Sequence, residues 1–246
     1  MIWRVIPYME NNAFLNMAID ESVSESVGSG DSPPTIRFYG WTPRAVSIGY
    51  FQSLEREVDI NVCKKLGVDV VRRRTGGGAV FHDSEITYSI IGKEEIFPKD
   101  IIASYREICG CITDALGLLG IAAEFKPIND IISNGKKISG NAQTRRGGVL
   151  LQHGTVLYEV DVDKMFSLLK VPDEKIKDKM IATVKERVTS IKQQKEAKRQ
   201  DVLDALLSGF TKGREYEKGE LTERELQRAR QLAETRYKTN EWNWMR

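Results

Sequence analysis

Histidine and cysteine are scarce here, two of the first and three of the second in 246 residues. Cys63, Cys109 and Cys111 form an odd set without the spacing of a metal knuckle. The latter pair sits two apart in a stretch that reads as helix, where such residues do not face one another. His82 and His153 have no cysteine beside them, so zinc held through histidine is disfavoured. Unpaired thiols fit a reduced, cytoplasmic setting. Long apolar runs are lacking too: nothing approaches the roughly 18 residues that span a bilayer, and Trp3, Arg4 and Pro7 interrupt the start where a signal peptide needs an apolar core. Charge of one sign is missing as well. Lys and Arg number 37 against 35 Asp and Glu, a net +2, which gives no global field for a polyanion and disfavours nucleic acid as the main partner.

What is present is ordinary globular material, 41% hydrophobic and 29% charged, enough for a sizeable core and consistent with one domain over residues 1–246. Residues 2–8 read as a strand, and Asn11 or Asn12 caps an amphipathic helix through Phe14, Met17, Ala18 and Ser22. Residues 35–39, 45–49, 68–72 and 86–91 are β-branched or aromatic runs separated by Pro, Gly and Asp. A long helix is expected over 101–119, closed by Gly120, with strands at 123–125, 128–133, 136–143 and 149–160 after it. From 163 to 246 the pattern is almost wholly helical and charged, clearest over 201–211 and 222–237, with 192–200 as the best linker. This order predicts an α+β fold with a mixed, largely antiparallel sheet flanked by helices.

The densest chemical signal is Arg72-Arg73-Arg74-Thr75-Gly76-Gly77-Gly78-Ala79-Val80-Phe81-His82-Asp83. Three cations beside bare backbone suit a phosphate; a glycine turn with a solvated basic flank explains the run equally well. Neither familiar nucleotide loop fits, because no Lys-Ser or Lys-Thr follows the glycines and Phe81 stands three after Gly78. In residues 134–143, strand alternation would put Lys137, Ser139 and Asn141 on one face, a lysine among small polar groups that can neutralise developing negative charge. An edge hairpin with surface lysines after the Asn134-Gly135 turn is the plainer reading. His153 and Gly154 interrupt an apolar strand, the position of a hydrogen-bonded core histidine. Asn129-Asp130 offers an oxygen ligand or a strand-entry turn.

Taken together, these segments resemble the lipoate-protein ligase family, which is similar to biotin ligases and to the catalytic core of class II aminoacyl-tRNA synthetases. The likeness runs from Trp41-Thr42-Pro43 and Ile48-Gly49-Tyr50-Phe51-Gln52, through the arginine and glycine run, Asn129-Asp130, Lys137-Ile138-Ser139-Gly140 and Gln152-His153-Gly154-Thr155, to Glu241-Trp242-Asn243-Trp244. It implies that Arg73 and the backbone of Gly78, Ala79, Val80 and Phe81 hold nucleotide phosphates, with Asn129 and Asp130 near the adenylate and Asp130 at Mg²⁺. Thr75, Gly76, Gly77, His82, Ser139, Gly140, His153 and Gly154 would line the lipoate pocket, and Lys137 would be the catalytic lysine between lipoyl carbonyl and α-phosphate. The implied activity is ATP-dependent: lipoate becomes lipoyl-AMP, and the acyl group passes to a lysine of a lipoyl-domain acceptor, such as a 2-oxoacid dehydrogenase E2 component or a glycine cleavage H protein.

Long ligases of the family continue into an accessory domain beyond the Trp-Asn segment, whereas this sequence stops at Arg246. The resemblance is to bipartite members in which a small separate protein supplies that domain, and the chain alone is expected to activate lipoate poorly. The alternative within the superfamily is an octanoyl transferase moving acyl groups between carrier proteins. Such enzymes use a thiolate, and residues 127–133 and 153–169 hold no cysteine. A non-catalytic carrier of lipoyl-AMP is a further alternative, against which the retained Arg73, Lys137 and glycines speak.

Overall fold

The computed structural model describes residues 1–171 and 176–246. Its order is β1 (Ile2–Asn11), α1 (Ala13–Ser29), β2 (Thr35–Trp41), β3 (Ala45–Ile48), α2 (Leu54–Glu57), α3 (Ile60–Lys65), β4 (Asp69–Arg72), β5 (Val80–His82), β6 (Ile86–Lys93), α4 (Ile101–Leu118), β7 (Glu124–Lys126), β8 (Asp130–Ser133), β9 (Lys136–Arg146) and β10 (Val149–Val156). There follow α5 (Val162–Leu168), α6 (Lys177–Arg187), α7 (Ile191–Gln194), α8 (Arg199–Thr211), β11 (Glu215–Lys218), α9 (Glu223–Leu232), a π turn at Ala233–Tyr237, and α10 (Asn240–Asn243). The fold is α+β, as expected. A large sheet runs β11-β1-β2-β6-β10-β9-β8-β7, and β4-β3-β5 form a small one. The β1 pairings with β2 and β11 are parallel, and the rest of the large sheet is antiparallel.

Strand alternation divides the large sheet into two buried faces. Ile36, Phe38, Tyr88, Ile90 and Leu150 point to one, where they pack with Ile108 and Ile112 of α4 and Leu206 and Phe210 of α8. Tyr39, Trp41, Ile91, Val149 and Leu151 point to the other, against Met17 and Val23 of α1. Because α9 covers α1 from outside, α1 is buried on nearly every side and carries Asn16, Asp20 and Glu21 into the interior. That is why it does not behave as the simple amphipathic helix its apolar spacing suggests.

Two expectations need correcting in the helical tail. Residues 215–218 form a strand, parallel to β1, that sequence reading missed because Glu215, Tyr216, Glu217 and Lys218 are all exposed at the sheet edge and show no apolar alternation. The expected linker at 192–200 is in large part structure: Ile191 is wholly buried, Ser190 and Gln193 form a capping box, and α8 begins at Arg199. Among the described residues, no helix is long and apolar enough to cross a membrane.

Candidate active site

On the α1 face of the large sheet lies a cavity of about 970 Å³. Odd-numbered residues of β10 face it, so His153 and Thr155 line its floor; by the pairing His153 to Ala142 and Thr155 to Gly140, β9 contributes those two positions. Its roof comes from the small sheet and the glycine run, through Ser47, Gly77, Gly78, Ala79, Val80, Phe81 and His82. Leu157, Val160, Val162, Met165 and Val184 add an apolar wall.

Lys137 reaches this cavity through a fault in the strand. Ile131 pairs with Ser139 but Ile132 pairs with Lys137, so β9 carries one extra residue, a bulge at Ile138. Simple alternation would put Lys137 with Ser139 and Asn141 on the core face. The bulge reverses it, and Lys137 lies across Gly140, so close that a Cβ built there would sit 2.8 Å from Lys137 Cε. Its Nζ is 2.6 Å from Asp130 Oδ1. Ser139, wholly buried, stays on the core face and does not line the cavity, which corrects its expected place.

Each of the three consecutive arginines is committed inside the protein. Arg72 donates to the carbonyls of Gly49, Tyr50, Gln52, Trp242 and Asn243, tying the Trp-Asn segment to the small sheet. Arg73 sends Nη1 to the Ser47 carbonyl and Oγ at 3.1 Å, and Nη2 to the carbonyls of Gly76 at 2.8 Å and Gly78 at 2.7 Å. Burial pushes its guanidinium down to about 10. Arg74 pairs with Glu21 at 3.2 Å. Arg73 thus holds the glycine turn by its carbonyls, and the expected phosphate-gripping role is already taken up by these bonds. Asp130, expected at Mg²⁺, is engaged by Lys137, and among the described residues no group of three His, Cys, Asp or Glu side chains is placed to hold a metal.

Two buried hydroxyl, imidazole and carboxylate chains flank the pocket. Ser47 Oγ lies 2.8 Å from His82 Nε2, and His82 Nδ1 lies 2.5 Å from Glu85 Oε1. Because the Glu85 carboxylate only accepts, His82 Nδ1 carries the ring N–H and points it at Glu85, and in the neutral ring Nε2 accepts from the Ser47 hydroxyl. Burial lowers the His82 pKa despite the Glu85 carboxylate, and Trp41 stacks on the ring at 3.9 Å. Thr75 Oγ1 is 2.7 Å from His153 Nε2, whose Nδ1 is 3.2 Å from Asp20 Oδ2. Burial would raise Asp20, but His153, Arg37 at 2.9 Å and Ser89 at 2.9 Å hold its pKa below the usual range. Thr75, wholly buried, and Gly76 stand behind the cavity surface, not on it as expected. Asn129 lines it, strapped to Asn141 by Nδ2 bonds in both directions of 2.5 and 2.9 Å. Gly154 also lines it, and must be glycine: a Cβ would meet Asn141 Oδ1 at 2.1 Å.

Of the expected residues, Arg73, Gly77, Gly78, Ala79, Val80, Phe81, His82, Asn129, Lys137, Gly140, His153 and Gly154 come together around one cavity. Sequence reading missed Asp20, Arg37, Ser47, Glu85 and the α5 wall. Glu85, three residues after His82, was the one with a local signal.

The sequence that builds this cavity matches a known family. The sequence profile described as lipoyl protein ligase A/B catalytic domain covers residues 12–211. The chain belongs to that family. Among its relatives, the octanoyltransferase LipM of Anoxybacillus flavithermus is 37% identical over 100% of this chain and 99% of the relative. The LipM of Clostridioides difficile is 37% identical over 98% of each. Among solved structures, a bipartite lipoate protein ligase described with its E2 lipoyl domain, from Thermoplasma acidophilum, superposes with a TM-score of 0.91 at 35% identity, covering 99% of this chain and 96% of that one.

The curated relatives overturn the expected ATP-dependent ligation. They are octanoyltransferases, each matched over nearly its whole length. The expected lipoyl-AMP intermediate, ATP and Mg²⁺ are therefore withdrawn, as is the carrier of lipoyl-AMP. The commitment of Arg73 to the glycine carbonyls agrees with that correction.

Proposed function

We propose that this member of the lipoyl protein ligase A/B family is an acyl transferase that moves an octanoyl group from a carrier-protein thioester to a lysine of a lipoyl-domain acceptor. The observation that carries this reading is the placement of the Lys137 amine, turned to the cavity by the β9 bulge, in a cavity that also has an apolar wall of Leu157, Val160 and Met165. The apolar wall takes the hydrocarbon chain, whose burial is worth about 0.8 kcal/mol per CH₂. Attack on a thioester carbonyl puts negative charge on oxygen, and a fixed ammonium within reach stabilises that charge more than the neutral ground state. Asp130 orients the ammonium, and Gly140 leaves it room. His82 and His153, each held at both ring nitrogens, keep the glycine roof and the floor in register.

The acceptor class follows from the family and from the E2 lipoyl domain described with the Thermoplasma protein. An accessory subunit for activation has no place in this reading, since nothing is activated. The unpaired state of all three cysteines supports a reducing compartment. The test is to mix the chain with octanoyl carrier protein and an apo lipoyl domain, without ATP, and follow the acceptor by intact mass. A gain of one octanoyl group on the acceptor lysine is expected, lost in Lys137→Ala. Strict dependence on added ATP would overturn the reading.

A further inference from the structure

We infer that Thr189 and Gln194 are positioning residues that aim the Lys137 ammonium from outside the sheet. This rests on the acyl-transfer reading above, in which that ammonium meets charge developing on the acyl carbonyl oxygen. A cation does so only if it is held there, and the Lys137 side chain does not hold itself. Its stem is flexible, and its ion pair with Asp130 is open to water, the side chains being 41% and 36% exposed, so the pair is weak. The aim is therefore set at the backbone. There the strand is at its least regular: the bulge at Ile138 leaves one residue of β9 without a partner, and β8, four residues long, lies one strand from the sheet edge.

Residues 188–199 supply the hold. The segment leaves α6 at Val188, which makes a parallel bridge to Lys137, and the Thr189 N–H donates to the Lys137 carbonyl at 2.9 Å. Gln194, in α7, reaches the turn from which β9 sets out. Its Oε1 accepts from Asn134 Nδ2 at 3.2 Å and lies 2.8 Å from Ser133 Oγ, while its Nε2 donates to Thr189 Oγ1 at 3.4 Å. Asn134 and Gly135, at φ of 51° and 75°, are the two turn residues, so Gln194 clamps the hairpin just ahead of the lysine.

The segment is itself fixed. Ile191, wholly buried, belongs to one core cluster with Ile131 and Ile138 at the bulge. The N–H groups of Ile191 and Lys192 donate to the carbonyls of Leu157 at 2.8 Å and Tyr158 at 3.0 Å. Those contacts suffice to close the core. The bonds to Lys137 and Asn134 go beyond them, to the strand position that carries the cation and to the turn that leads into it. Val188 and Gln193 also line the cavity, so the segment borders the space the acyl group occupies.

Steady-state transfer from octanoyl carrier protein to an apo lipoyl domain tests this on the intact chain. Thr189→Pro deletes the N–H and Gln194→Ala deletes the clamp. Misplacing a group that acts in the transition state lowers kcat, here by about 10²-fold and about tenfold respectively, with donor KM within about twofold of the parent. Gln194→Glu, which still accepts from Asn134, should recover most of the loss. Gly140→Ala supplies a readout that a merely structural role would not move: with Lys137 already displaced by the added Cβ, Gln194→Ala should lower kcat by less than about twofold more. Three results would each overturn the inference: parental kcat in Thr189→Pro or Gln194→Ala protein shown to be folded by circular dichroism, no recovery by Gln194→Glu, or full multiplication of the Gln194→Ala and Gly140→Ala losses. Gln194 is partly exposed, so its variants decide the matter should the proline variant not fold. Absence of amide product from the parent chain would instead remove the transferase reading, and this inference with it.

Discussion

Gly140→Ala separates the position of the lysine from the integrity of the fold. A Cβ at Gly140 would stand 2.8 Å from Lys137 Cε and 2.9 Å from Nζ, where ordinary contacts begin at 3.4 Å. The far end of a flexible side chain is the only group within that range, so the lysine swings aside and the strand keeps its place. The tip must retreat by about half an ångström or more, and the 2.6 Å contact with Asp130 is lost. Misplacing a catalytic group by about 1 Å costs on the order of 10²-fold in rate, equivalent to about 2.7 kcal/mol of transition-state stabilisation. The expected result is a kcat/KM for octanoyl transfer reduced toward that of Lys137→Ala, with a thermal midpoint close to the parent. Gly154→Ala is the contrast: its Cβ would meet Asn141 Oδ1 at 2.1 Å and Tyr88 Cε1 at 2.8 Å, both on buried residues. Overpacking there costs about 1–3 kcal/mol of stability. If Gly140→Ala retains full kcat/KM, the Lys137 ammonium does not act at the reacting carbonyl and the argument from the bulge fails.

Three further outcomes follow from the same structure. With its pKa lowered by burial, His82 stays neutral in the fold where the unfolded chain takes up a proton; stability is therefore present above the ordinary histidine pKa of about 6.5 and is lost as pH falls from there toward the folded value. Urea midpoints measured downward from neutrality should show that slope, and His82→Gln should flatten it; an unchanged slope would remove His82 as its source. Native chain should give no rapid reaction with a thiol reagent at pH 8, whereas all three cysteines react in denaturant, because each is at most 6% exposed; one fast native thiol would contradict the burial argument. Glu225→Ala should destabilise by about 3–5 kcal/mol, since it strands the Arg4 guanidinium that Glu225 grips with two 2.7 Å bonds, both side chains at most 9% exposed. Denaturant titration measures it, and a loss under 1 kcal/mol would mean that the pair contributes little.

The glycine run and the lysine were legible in the sequence because each is local: bare residues beside cations stand out within a dozen positions. The partners of the two histidines were not. His153 meets Asp20 across 133 residues and Asp20 meets Arg37 across 17, and each acid or base taken alone is an ordinary surface type. Only the joint burial of α1 between the sheet and α9 turns Asp20 and Arg37 into an interior pair. The basic run was legible as a feature but misleading as to use. A cation in sequence carries no record of how many backbone carbonyls will surround it, and Arg72 alone meets five.

The bulge at Ile138 shows most directly what pattern reading cannot supply. Period-two alternation places Lys137 on the core face with Ser139, where an unpaired ammonium would be costly to bury. One inserted residue sends Ile138 into the core with Ile131 and moves the lysine to the cavity, so a single register shift both satisfies packing and creates the site. No side chain in residues 136–140 announces it. The lysine's position is thus a property of the pairing between β8 and β9. Deletion of Ile138 leaves Lys137 opposite Ile132 and next to Ser139, still on the cavity face, so transfer should persist by intact-mass assay of the acceptor while the thermal midpoint falls with the loss of the buried Ile138 side chain. Loss of transfer in a folded deletion variant would mean that the face on which Lys137 stands does not suffice to place its amine at the carbonyl.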